Sequence, residues 1–303
     1  MEIGTFRGIL LLAHGGPSSL EDIPAFLEQV RGGWPCSEQL VEEVREKYRF
    51  VGGASPLPDI THRTARKLEE ACGLPVYVGM LHWHPLVEHT LPQMVTDGIS
   101  RALVICLVPH FSECSVGRYH RRAGSAANGS GTDLDLVDSW HTLSPYIEGL
   151  VDSIAASQRE LATTPGVPAH VIFSAHSLPK AALPSGDPYE LQLRETAERV
   201  AERLGLPHGG WTVAYQSASG PGQDWLGPSV GDVIVELAGR GVRQVVLCPF
   251  GFVADQPEIL YDLDVVMSQR ARDLGITLAR SQLLNDGPAL INSLALLVDG
   301  WKG

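Results

Sequence analysis

The sequence has little positive charge and few cysteines. Among its 303 residues, Lys and Arg number 23 and Asp and Glu number 35, which gives a net charge of −12. Sequence-independent binding to nucleic acid or to anionic lipid needs a positive field, so the composition argues against both partners. The five cysteines are odd in number and form no C-x-x-C pair. This usage is typical of reduced, buried thiols in the cytoplasm.

Long apolar runs are absent as well. No stretch approaches the roughly 18 apolar residues of a membrane-spanning helix. The run from Ile9 to Ala13 is too short for the apolar part of a signal peptide. We therefore expect a soluble, cytoplasmic protein without membrane insertion. Apolar residues make up 44 %, which is enough for buried cores and excludes a disordered chain.

Several common catalytic signatures are also missing. The segment Gly15-Gly16-Pro17 is not G-x-G-x-x-G, and no G-x-x-x-x-G-K-S/T occurs, so neither a dehydrogenase nor a P-loop nucleotidase is indicated. Ser177 lies in His-Ser-Leu-Pro instead of G-x-S-x-G, which argues against the nucleophile elbow of a hydrolase. No H-E-x-x-H zinc motif occurs either.

Short runs rich in Val, Ile and Leu alternate with longer amphipathic segments. The runs predict eight strands buried on both faces, at 8–13, 76–81, 102–109, 134–138, 169–174, 211–216, 244–249 and 276–279. The segments between them predict helices, for example at 20–30, 188–204 and 229–240. This alternation predicts an α/β protein in which parallel sheets of four strands each are flanked by helices.

The segment 161–168 (LATTPGVP) is the best candidate for a linker between two halves. We predict an N-terminal half at 1–163 and a C-terminal half at 164–286. In open α/β sheets, ligands bind beyond the carboxyl ends of the strands. Histidines follow three of the predicted strands at that end, namely His14, His110 and His176. One such histidine alone is more often structural, but three at one edge are equally consistent with a functional site.

Several ordered segments together resemble the ferrochelatase family. They are 52–57 (GGASPL), 109–119 (PHFSECSVGRY), 172–179 (IFSAHSLP), 186–189 (GDPY), 215–218 (YQSA), 225–228 (WLGP) and 252–262 (FVADQPEILYD). The resemblance covers essentially the whole chain and is closest to the monoderm-type coproporphyrin III ferrochelatases. The chain is short, and no cysteine follows Cys248 that could supply C-terminal iron–sulfur ligands.

This resemblance implies two similar Rossmann-like, chelatase-type halves, with a C-terminal helix at 287–303 packed back on the first. It implies a metal-inserting lyase that places ferrous iron in a porphyrin, most closely coproporphyrin III, to give coproheme in haem biosynthesis. Iron is then a substrate, no cofactor is permanently bound, and no iron–sulfur cluster is expected. We also expect a monomer that meets a haem-pathway partner enzyme transiently.

The resemblance also assigns site residues by position. His176 and Glu258 are expected at the centre of the macrocycle, as metal ligands and proton acceptors. Which of the two takes the proton stays open. Asp262 lies four residues after Glu258, which predicts a shared helix face and a further metal ligand. Porphyrin-binding positions are expected at Arg31, Ser55, His82, Ser115 and Tyr119.

His14 departs from the resemblance, because monoderm relatives often have a tyrosine there. An imidazole is expected to contact the porphyrin and to ligate its iron. Small cobaltochelatases also carry histidine in a similar His-Gly segment. Two alternatives therefore remain, a cobalt or nickel chelatase of a sirohydrochlorin-type ring and a non-catalytic tetrapyrrole-binding protein. Val266 stands where relatives often have a third carboxylate, and Gln256 stands where they often have a histidine.

Overall fold

The computed structural model describes residues 7–161, 169–218 and 224–302. The strands in these ranges are β1 Arg7–Ala13, β2 Val76–Met80, β3 Arg101–Cys106, β4 Asp133–Leu136, β5 His170–His176, β6 Trp211–Gln216, β7 Gln244–Cys248 and β8 Thr277–Arg280. They pair in parallel into a first sheet of order β2-β1-β3-β4 and a second sheet of order β6-β5-β7-β8. The predicted α/β fold with two similar four-stranded parallel sheets is confirmed.

Strand ends differ from the prediction by up to three residues. The third strand ends at Cys106 instead of 109, although the Leu107 N–H still donates to the Leu12 carbonyl at 2.8 Å. The fifth strand continues beyond 174 to His176, because its register with β6 extends to the pair His176 and Gln216. His176 is therefore fixed by strand pairing and does not lie in a loop.

The helices connect the strands and pack on the sheets. They are α1 Ile23–Val30, α2 Glu38–Phe50, α3 Leu57–Cys72, α4 Val87–Thr96, α5 Val116–Ala127, α6 Ser144–Leu161, α7 Tyr189–Leu204, α8 Val230–Gly239, α9 Pro257–Leu260, α10 Ser268–Asp273 and α11 Pro288–Lys302. The three helices named from the sequence correspond to α1, α7 and α8. The Ser229 hydroxyl accepts a hydrogen bond from the Asp232 N–H, which fixes the start of α8.

The central strands are buried on both faces, as their unbroken apolar runs predict. Alternate side chains of a strand point to opposite faces, so Ile9 and Leu11 join one core while Leu10 and Leu12 join another. The core that contains Ile9 also contains Phe173 of β5. Both sheets thus contribute to one apolar core, which also contains residues of α6 and α7.

Further contacts link the chain's distant parts. The Tyr146 hydroxyl in α6 donates to the Phe250 carbonyl at 2.5 Å, and both side chains are fully buried. Helix α11 packs against α3 and α6, and its Trp301 Nε1 donates to Asp135 Oδ2 at 2.8 Å. The predicted boundary after residue 163 falls outside the described residues, as does the predicted linker apart from Leu161. In the three described ranges, no helix has both the length and the apolar character needed to cross a membrane.

Candidate active site

The carboxyl ends of β1, β2, β3 and β5, together with the segment that follows β7, surround one cavity of about 250 Å³. Such a position is where open α/β sheets bind ligands. Among the nine predicted site residues, six line this cavity, namely His14, His82, Ser115, Tyr119, His176 and Glu258. His14 and His176, which are 162 positions apart in the chain, thus line the same cavity.

His176 is held in place by its own backbone. The Ser177 N–H donates to the Gln216 carbonyl at 2.8 Å, and the Tyr189 hydroxyl donates to the His176 carbonyl at 2.9 Å. The imidazole Nδ1 lies 2.5 Å from the Ser177 carbonyl oxygen. Because a carbonyl only accepts hydrogen bonds, the neutral ring carries its proton on Nδ1 and its lone pair on Nε2.

Glu258 brings a carboxylate next to that lone pair. It lies in the first turn of α9, which begins at Pro257. Its Oε2 is 4.0 Å from His176 Nε2, which is too long for a hydrogen bond. The His176 and Glu258 side chains are 38 % and 44 % exposed, so a substrate can reach both. The pair can therefore engage a third group, either a metal ion or a proton.

His14 and His82 form a second pair of imidazoles, which reaches the cavity from the first sheet. The backbone N–H of His82 donates to the backbone carbonyl of His14 at 3.0 Å, and the centroids of the two imidazole rings are 4.7 Å apart. Burial lowers the pKa of His14, although the charge of Glu258 opposes this effect. Burial, with help from His14, lowers the pKa of His82 to about 3. Both rings are thus neutral at pH 7. His14 Nδ1 lies 3.1 Å from the Gly15 carbonyl and carries the ring proton, so the lone pair on Nε2 is free for a ligand.

Two glycines shape the loop that carries His14. Gly15 has a φ of +85°, which favours glycine. A Cβ on Gly16 would lie 2.5 Å from the Cβ of Ser55, so the missing side chain lets the two segments touch. Ser55 is accordingly buried against this loop, and its N–H donates to the Pro17 carbonyl at 2.9 Å. The cavity wall does not include Ser55, and its porphyrin contact stays a prediction.

Helix α5 supplies the polar side of the cavity. Ser115 precedes the helix, and Tyr119 lies in its first turn. Tyr119 is only 6 % exposed, and burial raises the pKa of its hydroxyl, which therefore stays protonated as a hydrogen-bond donor. Arg118 also lines the cavity from this helix, and the sequence interpretation missed it. Its position between two assigned residues was the available signal.

The remaining wall is mainly apolar. Leu57, Leu81, Leu178, Phe252 and Val253 belong to it, and Phe252 has its ring centroid 6.4 Å from that of His176. Apolar and aromatic surfaces of this kind bind flat hydrophobic ligands. In the part of the chain that the structure describes, no group of three or more His, Cys, Asp and Glu side chains is placed to hold a metal ion.

Arg31 does not reach the cavity. It lies at the C-terminal end of α1, where its backbone N–H donates to the Leu27 carbonyl at 3.1 Å. Its side chain is exposed and contributes nothing to the cavity wall. A cation at this end of a helix is favoured by the helix dipole, which accounts for its position without a ligand. Its predicted porphyrin contact stays a prediction.

Asp262 is likewise outside the cavity wall. Its Oδ1 accepts from Lys47 Nζ at 2.9 Å, a contact between residues 215 positions apart. Its predicted role as a metal ligand stays a prediction, but the helical segment that carries Glu258 and Asp262 is not a regular α-helix. Helix α9 ends at Leu260, and a wider π-helical segment covers Asp262–Met267, in which the Val266 N–H donates to the Tyr261 carbonyl five positions back. The spacing of four therefore does not place the two carboxylates on one α-helical face.

His110, the third histidine at a strand end, has a structural position. It is fully buried, and its Nε2 is 2.9 Å from the Thr196 hydroxyl of α7. Its ring centroid is 5.3 Å from that of Phe250 and 5.5 Å from that of His141. It therefore packs between the first sheet and α7 and does not line the cavity.

The buried His110 should make stability depend on pH. Burial, with a smaller effect from His141, holds its pKa well below 6.5, so the unfolded chain takes up a proton that the folded chain does not. The free energy of unfolding should fall as the pH drops below about 6.5, with a contribution of up to about 1.4 kcal/mol per pH unit. In the His110→Gln variant, urea unfolding between pH 7 and pH 5 should show a shallower dependence. An identical slope in the variant would contradict this assignment.

Comparison with known proteins agrees with this geometry. The family model described as Ferrochelatase matches residues 7–300. A ferrochelatase of Deinococcus radiodurans is 37 % identical over 299 residues, covering 96 % of this chain and 95 % of the relative. A ferrochelatase of Acidobacterium capsulatum is 40 % identical, covering 95 % and 92 %. A protein of a Geobacillus species named coproporphyrin III ferrochelatase is 36 % identical, covering 96 % of both chains.

Solved structures show the same fold at low sequence identity. SirB from Bacillus subtilis with Fe³⁺ has a TM-score of 0.59 at 12 % identity, covering 97 % of this chain and 94 % of that one. CbiX, described as the terminal enzyme of sirohaem biosynthesis in denitrifying bacteria, has a TM-score of 0.55 at 13 % identity, covering 97 % and 99 %. These likenesses concern the fold alone. The match along nearly the entire sequence decides the family: the chain belongs to the ferrochelatases, enzymes that insert iron into porphyrins.

Proposed function

We propose that this protein inserts ferrous iron into coproporphyrin III and releases coproheme. The observation that carries the proposal is the pair formed by His176 Nε2 and Glu258 Oε2, 4.0 Å apart on the wall of a largely apolar cavity. Relatives named coproporphyrin III ferrochelatase, such as that of the Geobacillus species, support the choice of ring. Tyr119 and Ser115 supply hydroxyl donors for carboxylates on the ring edge.

The reaction replaces two pyrrole protons by one ferrous ion. Each of two ring nitrogens loses its proton and forms a bond to iron, so the site must accept two protons and release iron-bound water. His176 is suited to the first transfer, since its Nε2 lone pair lies in the cavity and Glu258 stabilises the imidazolium that forms. Oxygen and imidazole ligands both suit ferrous iron, so the same pair can hold the ion before transfer. The Nε2 lone pair accepts a proton only after the ion has left it for the ring, and the second proton passes to water in the open cavity.

His14 completes the proposal from the first sheet. Its neutral imidazole keeps the Nε2 lone pair free, because Nδ1 is engaged with the Gly15 carbonyl. We expect this nitrogen to ligate the iron of the product. The His14→Ala variant should therefore give a coproheme complex with an altered Soret band and altered electron paramagnetic resonance signals, compared with the unchanged protein. Superimposable spectra would leave His14 without a role in ligation.

His14 and His82 also favour a second candidate, a cobalt or nickel chelatase of a sirohydrochlorin-type ring. Two neutral imidazoles with ring centroids 4.7 Å apart offer nitrogen ligands, and a given nitrogen site generally binds cobalt and nickel more tightly than ferrous iron. Insertion of cobalt into sirohydrochlorin that is faster than insertion of iron into coproporphyrin III would favour this candidate.

The direct test of the ring is a steady-state assay under anaerobic conditions. The purified protein is given ferrous iron with either coproporphyrin III or protoporphyrin IX, and insertion is followed by absorbance. The proposal predicts that kcat/KM is at least about tenfold higher for coproporphyrin III than for protoporphyrin IX. A factor of ten corresponds to about 1.4 kcal/mol, which one well-placed interaction can supply. A preference for protoporphyrin IX would contradict the proposed substrate and keep the family.

The proposal includes the setting of the reaction. We propose a cytoplasmic enzyme that acts as a monomer of 32.7 kDa and passes coproheme to the next haem-pathway enzyme through a transient contact. An acidic surface, with its net charge of −12, suits a weak, salt-sensitive encounter of this kind.

A further inference from the structure

A second recess adjoins the cavity. It has a volume of about 650 Å³ and shares part of its wall with the cavity, at Cys114, Arg118, His176 and Leu178. Its volume exceeds that of the cavity itself, which is about 250 Å³. A ligand bound beside His176 therefore has room to extend one of its edges past this histidine into the recess.

Arg118 is the cation at the junction of the two spaces. The neighbouring arginines of α5 are already paired, because Arg121 donates to Glu113 at 2.5 Å and Arg122 forms an ion pair with Glu88. Within the described ranges of the chain, the Arg118 guanidinium makes no ion pair and no hydrogen bond. Arg118 is exposed, and it lines both the cavity and the recess. The guanidinium is therefore available to a ligand without breaking an internal contact.

The helix makes this position unfavourable for an unpaired cation. Arg118 lies in the first turn of α5, where the helix dipole favours negative charge. An anionic group next to Arg118 would offset this unfavourable position, which indicates a carboxylate or a similar anion as its partner.

We propose that Arg118 binds a carboxylate on the edge of the tetrapyrrole that extends into the recess, and that it thereby selects rings with carboxylates on every side. The inference rests on the proposed function for the identity of the ring. Coproporphyrin III carries a carboxylate on each of its four pyrroles, whereas protoporphyrin IX has both of its carboxylates along one edge. Coproporphyrin III can thus present a carboxylate to Arg118 whichever edge faces the recess.

The strength of this contact follows from its chemistry. Arginine pairs with carboxylates through two parallel hydrogen bonds, which is a geometry that lysine does not reproduce. Because Arg118 is open to solvent, screening reduces the gain relative to a buried pair. We expect a contribution of about tenfold in Kd, which corresponds to about 1.4 kcal/mol.

The test measures binding of the metal-free rings by fluorescence titration. Arg118→Gln should raise the Kd of coproporphyrin III about tenfold and that of protoporphyrin IX clearly less. Arg118→Lys should give a Kd of coproporphyrin III between those of the wild type and Arg118→Gln. The same titration over a range of salt concentrations should show a weaker salt dependence in Arg118→Gln, because one ion pair is lost. Arg122→Gln is the matched control, since it removes the same charge from the same helix outside both spaces.

Three results would overturn the inference. They are a change of less than twofold for coproporphyrin III in Arg118→Gln, an equal factor for both rings, and an equal loss in Arg122→Gln. Circular dichroism and thermal unfolding verify that the variants fold. Because binding is measured without iron, a wild-type protein that binds coproporphyrin III but inserts no iron contradicts the proposed function, whereas an unchanged Kd in Arg118→Gln contradicts this inference alone.

Discussion

Replacing His176 with alanine should lower the rate of ferrous iron insertion about a thousandfold or more. The change removes the Nε2 lone pair next to Glu258, which in the proposed mechanism accepts a pyrrole proton once the ion has passed to the ring. A positioned general base alone typically contributes a factor of about 10² to 10⁴. Insertion is measured by the absorbance change of coproporphyrin III in the absence of oxygen, with the ring in excess of its Kd.

The His176→Ala variant should keep its fold and its affinity for the metal-free ring. Its imidazole is 38 % exposed, so truncation leaves no sealed cavity. His170→Ala is a suitable control, because His170 begins the same strand and bonds to Thr212 outside the cavity. That variant should lose stability but insert iron at a normal rate per folded molecule. Retention of more than a tenth of the wild-type rate in His176→Ala would contradict its catalytic role.

Glu258→Gln should have the next largest effect, a fall in kcat of about a hundredfold or more. Glutamine keeps the shape of the side chain but removes the charge that, in the proposed mechanism, stabilises the His176 imidazolium and attracts the ferrous ion. KM for the ring should change little, since the apolar wall stays intact. The difference between kcat and KM distinguishes a role in chemistry from a role in ring binding.

A matched exchange elsewhere controls for the lost negative charge. Glu236→Gln removes one carboxylate from an exposed position in the same half of the chain, where Glu236 pairs with Arg240. Its rate of iron insertion should equal that of the wild type. If Glu258→Gln were also within threefold of the wild type, the carboxylate would have no part in metal or proton transfer.

The fold could be predicted from sequence because its signals are local. Unbroken apolar runs such as those of β1 and β7 identify strands that are buried on both faces, and the intervening amphipathic segments identify the helices. The carboxyl ends of parallel strands meet at one edge by geometry alone. This places His14 and His176 each at the ligand-binding edge of its own sheet. The structure adds the packing of the two sheets that brings both histidines to one cavity, and the carbonyl contacts that set their tautomers.

The parts that the sequence does not reveal depend on distant contacts. The pairing of Asp262 with Lys47 joins residues 215 positions apart, and nothing in the spacing of Glu258 and Asp262 indicates the π-helical segment between α9 and α10. His110 and His176 have the same position in the sequence pattern. Tertiary packing distinguishes them, since Thr196 of α7 bonds to His110 while His141 and Phe250 pack against its ring and leave it fully buried.

The availability of Arg118 likewise depends on distant contacts. Three arginines lie in α5, and the sequence does not tell which of them is free. The ion pair of Arg121 with Glu113 is formed with the loop before the helix, and that of Arg122 is formed with Glu88 of another helix. Local rules for pairs three or four residues apart on one helix cover neither contact.

The most direct test of the central claim is a competition experiment. The wild-type protein is mixed anaerobically with equal amounts of coproporphyrin III and protoporphyrin IX and with less ferrous iron than either ring, and the products are identified by mass spectrometry. We predict that coproheme accounts for about nine tenths or more of the iron product, as a tenfold ratio of kcat/KM requires. A product that is mostly protohaem, or no iron product with either ring, would contradict the proposed function.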